Sequence, residues 1–122
     1  MRTKRLVVLL AVLAVCLFGF RSEYMLMTAE KTADSAAVTG AGYFYGITVT
    51  TDGTNAVTMD VYDNTAASGT KLIQTVVFPT SAMARGGAIG WDPPLPFNTG
   101  VYVDVTVGGG GTVKYMVYYR LQ

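Results

Sequence analysis

Gly100 to Arg120 reads Val-Tyr-Val-Asp-Val-Thr-Val, four glycines, then Thr-Val-Lys-Tyr-Met-Val-Tyr-Tyr, and Gly46 to Tyr62 repeats the scheme around Asp52-Gly53-Thr54-Asn55. In both stretches apolar and polar residues alternate on either side of a glycine-bearing turn. Successive side chains of a strand point to opposite faces, so this alternation specifies a sheet with one face buried and one open to solvent. One polar face per strand argues for antiparallel pairing, because strands of parallel sheets are covered on both faces and read as continuous apolar runs. The expected fold is all-β, a small antiparallel β-sandwich of jelly-roll type.

Turn signals recur at strand spacing from Tyr43 onward. The expected strands are 43–51, 56–63, 70–78, 86–91, 100–107 and 112–120. Val57, Met59 and Val61 share one face of the second, opposite Thr58, Asp60 and Tyr62. Val101, Val103, Val105 and Val107 lie opposite Tyr102, Asp104 and Thr106. Asp52 to Asn55 supplies residues that tolerate positive φ, as does Gly108 to Gly111, and tight hairpin turns need such residues. Asp92-Pro93-Pro94-Leu95-Pro96 lacks an amide hydrogen at three positions, which confines it to a loop or a sheet edge. Trp91 stands immediately before it. Its two readings are a cap on one end of the core and a surface on which a ligand stacks.

The first forty of the 122 residues are different in kind. Arg2, Lys4 and Arg5 precede Leu6 to Phe20, fifteen residues without a charge, and Arg21 ends the run. A basic n-region before an apolar h-region is the layout of an export signal, and fifteen residues are short for a spanning helix. The expected element is an N-terminal apolar helix over 1–21, with Leu6, Leu10, Leu13, Phe18 and Phe20 as its membrane or assembly contacts. Neither Phe18-Gly19-Phe20 nor Met27-Thr28-Ala29 supplies the small residues of a cleavage site. Leu13-Ala14-Val15-Cys16 approaches a lipoprotein box, although Val15 is bulky and the apolar run continues past the cysteine. Residues 22–41, rich in Ala, Thr, Ser and Glu, read as a linker or arm, with a short helix over Tyr24 to Ala33 as one option. The β-sandwich domain is expected over 42–122.

Composition removes several function classes. With no histidine, Ser-His-Asp, Cys-His and histidine-metal arrangements are excluded together. Ser68 and Ser81 have no basic partner nearby in sequence, and any paired carboxylates would have to be aspartates. The chain is therefore expected not to be an enzyme and to need no cofactor. From Ala36 onward four basic residues face five aspartates, so no basic face follows a phosphate backbone and nucleic-acid binding is not expected. Cys16 is the only cysteine, which rules out an internal disulfide. The glycines at 40, 42 and 46 precede a strand and do not form a phosphate-binding loop.

Two readings stay open for the remaining polar groups. Asp60, Asp63 and Asn64 could offer oxygens to a hard cation, or Asp63-Asn64 could open a turn closed by Ser68-Gly69, hydrogen-bonding its own backbone. Tyrosines at 43, 45, 62, 102, 115, 118 and 119 suit both cross-strand pairing and recognition of protein or sugar. Asp60, Tyr62, Trp91, Tyr102 and Asp104 form the candidate interaction surface. A core of about eighty residues is small enough to gain from self-association, so a homo-oligomer is expected.

Val61-Tyr62-Asp63-Asn64-Thr65-Ala66-Ala67-Ser68-Gly69-Thr70-Lys71-Leu72, then Pro96-Phe97-Asn98-Thr99-Gly100-Val101-Tyr102-Val103, then Val113 to Arg120, resembles small β-sandwich proteins encoded by tailed bacteriophages and prophages. The similarity runs from about Thr28 to Arg120. It implies a virion component, such as a decoration or accessory protein of the head or tail, whose partners are copies of itself and other virion structural proteins. The N-terminus departs from that pattern, since a virion protein assembled in the cytoplasm has no need of an export-like segment. An exported bacterial surface or lipoprotein-like module that binds a glycan or protein therefore stands beside the virion reading, with the envelope or the medium as its location.

Overall fold

The computed structural model describes residues 24–80 and 86–122. Eight strands succeed one another: β1 (Leu26–Met27), β2 (Ser35–Thr39), β3 (Gly42–Thr51), β4 (Val57–Asp63), β5 (Lys71–Phe78), β6 (Gly86–Phe97), β7 (Gly100–Val107) and β8 (Val113–Leu121). They form two four-stranded sheets, ordered β1-β8-β3-β6 and β2-β7-β4-β5, and every pairing is antiparallel. The all-β, antiparallel, sandwich-like architecture is the one that the alternation dictates. The apolar segment 1–21, with Leu6, Leu10, Leu13, Phe18 and Phe20, lies outside the described residues.

Alternation places the core where the pattern requires it. Val57, Met59 and Val61 of β4, Val101 and Val103 of β7, and Val113, Tyr115 and Val117 of β8 are buried, together with Phe44, Ile47 and Val49 of β3. Val105 and Val107 are only partly buried, packed at the margin of the same cluster. Removing apolar area from water is the dominant stabilising term, at roughly 1.5–3 kcal/mol for each fully buried Val, Ile or Phe side chain.

The stretch 22–41 corrects the expected linker, and Tyr24 to Ala33 is not a helix. Leu26 and Met27 pair with Tyr119 and Tyr118, Ser35 to Thr39 pairs with β7, and Val38 joins the core. Between the two strands the chain stays pinned to β8. The Thr28 N–H donates to the Val117 carbonyl at 3.0 Å, the Val117 N–H donates to Thr28 Oγ1 at 3.0 Å, and Lys31 exchanges backbone hydrogen bonds with Tyr115. The buried Tyr115 hydroxyl donates to the Ala33 carbonyl at 2.7 Å and is hydrogen-bonded to Ser35 Oγ. Partners more than sixty residues away, rather than local propensity, decide this segment.

The two glycine-bearing turns form, but they do not close the expected hairpins: β3 and β4 fall in different sheets, as do β7 and β8, so each turn carries the chain from one sheet to the other. Asp52 caps the first, accepting the Thr54 and Asn55 N–H groups at 2.7 and 2.9 Å, and its other oxygen accepts the Thr112 N–H at 2.9 Å from the second. In the second, Gly109 and Gly110 take φ of 58° and 74°, a conformation that L side chains rarely adopt. The proline stretch is a sheet edge rather than a loop: β6 is the outermost strand, and Trp91 to Pro94 occupy a bulge, since Phe44 pairs with Leu95 while Gly46 pairs with Gly90.

Candidate interaction surface

The register of β4 against β7 assembles four of the five candidate residues. Asp60 lies directly opposite Asp104 and Tyr62 directly opposite Tyr102, on the outer face of the β2-β7-β4-β5 sheet. All four are half-buried. Trp91 belongs to the other sheet and packs at the core margin, its ring tilted at 5.8 Å from that of Phe44. It is not part of the tyrosine-aspartate face.

Charges on this face are arranged unevenly. Lys71, opposite Tyr62 on β5, donates from Nζ to Asp60 Oδ1 at 2.8 Å and lies 5.6 Å from the Tyr62 ring centroid. The Thr75 hydroxyl donates to the same oxygen at 2.6 Å. The Lys71 ammonium, helped by Thr75, holds Asp60 below the ordinary carboxylate range, and Asp60 in turn raises Lys71. Asp104 has no such donor. Burial, then the neighbouring Asp34 and Asp60, push its carboxyl up. Asp34 is occupied elsewhere, accepting the Val105 N–H at 2.7 Å.

The oxygens weighed as cation ligands are committed to protein donors. Asp60 serves Lys71 and Thr75. Asn64 closes its own turn, donating from Nδ2 to the Ser68 carbonyl at 2.9 Å and accepting the Thr65 N–H at 2.7 Å. The Asp63 backbone closes the same turn, its N–H donating to the Thr70 carbonyl at 2.8 Å, while its side chain points away from it. Its carboxylate reaches the β6–β7 corner and accepts the Asn98 and Thr99 N–H groups at 3.0 and 2.9 Å. Among the described residues no three His, Cys, Asp or Glu side chains converge as a metal site.

Lys71, Thr75 and Asp34 were not singled out by the sequence, although each sits on or beside the face. Counting along β5 gives no signal for them, because two irregularities in its pairing break the alternation and put Ile73, midway between Lys71 and Thr75, in the core. On the outer face of the other sheet a hollow of about 30 Å³ is lined by Glu30, Thr48, Thr50, Lys114 and Met116. Beside it the Thr48 hydroxyl is buried without a hydrogen-bond partner. Comparison of the chain with protein-family models, curated proteins and solved structures finds no match.

Asp104→Asn is expected to stabilise the fold by roughly 0.5 kcal/mol at pH 7, because like charges directly opposite one another are destabilising. The folded pKa of Asp104 lies above the unfolded value of 3.8, so its own contribution to stability is lost as pH rises through that interval, a loss that the variant does not share. Urea unfolding at pH 7 and pH 3 measures the difference, which should vanish at the lower pH. A variant no more stable than wild type at pH 7 would refute the repulsion.

Proposed function

We propose that the chain is a non-enzymatic structural protein of a bacteriophage particle, a capsid or tail decoration or accessory component acting through protein–protein contacts. The observation that carries the reading is the strand order. β1-β8-β3-β6 facing β2-β7-β4-β5 is the order of an eight-stranded jelly roll, an architecture that recurs in viral capsid and lectin domains. A fold hosts many functions, so the working surface has to be named as well. That surface is Asp60, Tyr62, Tyr102 and Asp104, in which two tyrosines with apolar bodies and polar tips, the residue type that protein interfaces favour, stand beside a salt-bridged aspartate. Its partners are other copies of the chain and neighbouring virion proteins, without nucleic acid or cofactor.

Tyr62→Ser with Tyr102→Ser is expected to weaken self-association by tenfold or more, measured by sedimentation equilibrium, while the circular dichroism spectrum stays that of the wild type. Mass spectrometry of purified particles tests the setting. A wild-type monomer that is also absent from virions would sink the proposal.

The rival reading is an exported bacterial surface or lipoprotein-like module that binds a glycan or protein. Arg2, Lys4 and Arg5 before the apolar run Leu6 to Phe20 favour it. Recovery of an N-terminally processed chain in the envelope supports this reading, and intact Met1 in an assembled particle removes it.

A further inference from the structure

Six large hydrophobic side chains are exposed among the described residues, and five of them share one corner: Tyr24 at 73%, Met25 at 56%, Leu26 at 44%, Met27 at 55% and Leu121 at 44%. Leu26 and Met27 pair with Tyr119 and Tyr118, which brings this segment beside the C-terminal end of β8, where Leu121 lies. A strand with one solvated face should alternate in polarity, yet Tyr24-Met25-Leu26-Met27 is apolar on both faces and sits at the open edge of its sheet. Nothing within the sandwich requires this. Clustered apolar exposure of that kind marks a contact with a partner or a membrane.

We propose that this corner docks on an anionic lipid surface. Sequence continuity argues for it. Only Arg21, Ser22 and Glu23 separate the uncharged run Leu6 to Phe20 from Tyr24, a chain length that reaches about 14 Å at most. A run of fifteen apolar residues is short for a bilayer crossing. Arg2, Lys4, Arg5 and Arg21 flank it and attract anionic headgroups. Tyrosine is favoured at the headgroup level, where Tyr24 would sit. A second copy pairing along this edge would find only two strand residues to match, Leu26 and Met27, which disfavours that occupant. The inference goes beyond the virion reading and does not depend on it.

Trp91 provides an internal control, because β6 lies three strands from β1 in the same sheet, about 14 Å away. The test uses the full chain, as wild type and as Tyr24→Trp, with vesicles of phosphatidylcholine and phosphatidylglycerol at 3:1 carrying brominated acyl chains. Wild-type emission, which comes from Trp91 alone, should be unchanged. Tyr24→Trp should lose about half of its emission, and adding Met25→Glu and Met27→Glu should restore it. Failure of the full chain to bind the vesicles overturns the proposal. So does binding with no quenching at position 24, or with equal quenching of Trp91. Emission at position 24 that shifts to the blue with protein concentration in the absence of lipid assigns the corner to a second copy instead. Particle composition, which tests the virion reading, is unaffected by any of these outcomes.

Discussion

Phe44→Ala is expected to lower the free energy of unfolding by about 3–5 kcal/mol, the range for truncating a fully buried aromatic side chain. Phe44 is wholly buried on β3, the strand hydrogen-bonded on both sides, between Tyr119 of β8 and Leu95 of β6. Its ring also supports Trp91 across the bulge. Truncation leaves a cavity that the sheet cannot close by sliding, because Gly42 and Gly46 on the same strand are already in near contact with neighbouring backbone. A Cβ at Gly42 would strike the Arg120 carbonyl oxygen, and one at Gly46 would strike that of Ile89. Against the roughly 5–15 kcal/mol typical of whole domains, the loss is about a fifth of the stability or more. Urea unfolding measures it, and Trp91 reports locally, since loss of its support should shift its emission to the red in the folded state. Phe44→Leu should cost much less, about 1–1.5 kcal/mol, because most of the volume is kept. A cost below 1 kcal/mol for the alanine variant would mean that Phe44 does not hold this part of the core together.

Strands β4 and β7 show what alternation can and cannot carry. The inward set of β4 and β7 is legible because a period of two fixes which side chains share a face, and one buried face tolerates no slip of register. Asp60, Tyr62, Tyr102 and Asp104 were assigned to outward faces on that ground, yet only the β4–β7 pairing brings them opposite one another. Register between strands about forty residues apart is a tertiary property. Trp91 illustrates the opposite case: the bulge at Trp91 to Pro94 breaks the period, so counting along the chain could not give its face or its sheet. The segment from Tyr24 to Ala41 hid its strands because Ser and Ala carry little strand signal of their own and β1 is only two residues long. Its pairing depends on β7 and β8, which come sixty to ninety residues later. Lys71 became part of the interaction surface by the same route, through a partner on a neighbouring strand.

Asp63 is the residue for which this distinction has the greatest measurable consequence. In sequence it belongs to a turn with Asn64, while in the fold it clamps the end of β4 to the β6–β7 corner, where Asn98 and Thr99 donate to it and Gly100 lies at 3.5 Å. Asp63→Ala leaves these amides without an acceptor and is expected to cost about 2–3 kcal/mol at pH 7, the scale of hydrogen bonds to a charged group discounted for partial exposure. Burial alone would raise its pKa, but the Thr99, Asn98 and Gly100 N–H groups outweigh burial and bring it below the ordinary 3.8. The folded pKa is thus the lower of the two, so the contribution is complete above the unfolded value and disappears as pH falls through the folded one. Asp52 and Asp60 are lowered in the same direction by their own donors, which makes acid unfolding a shared effect of three carboxylates. The gap between wild type and Asp63→Ala should therefore be widest at pH 7 and 5 and narrow below about 4. Urea titrations at pH 7, 5 and 3 measure it, and hydrogen exchange at the Asn98 and Thr99 amides should quicken in the variant. A gap that stays constant across that range would assign the cost to lost packing rather than to the carboxylate.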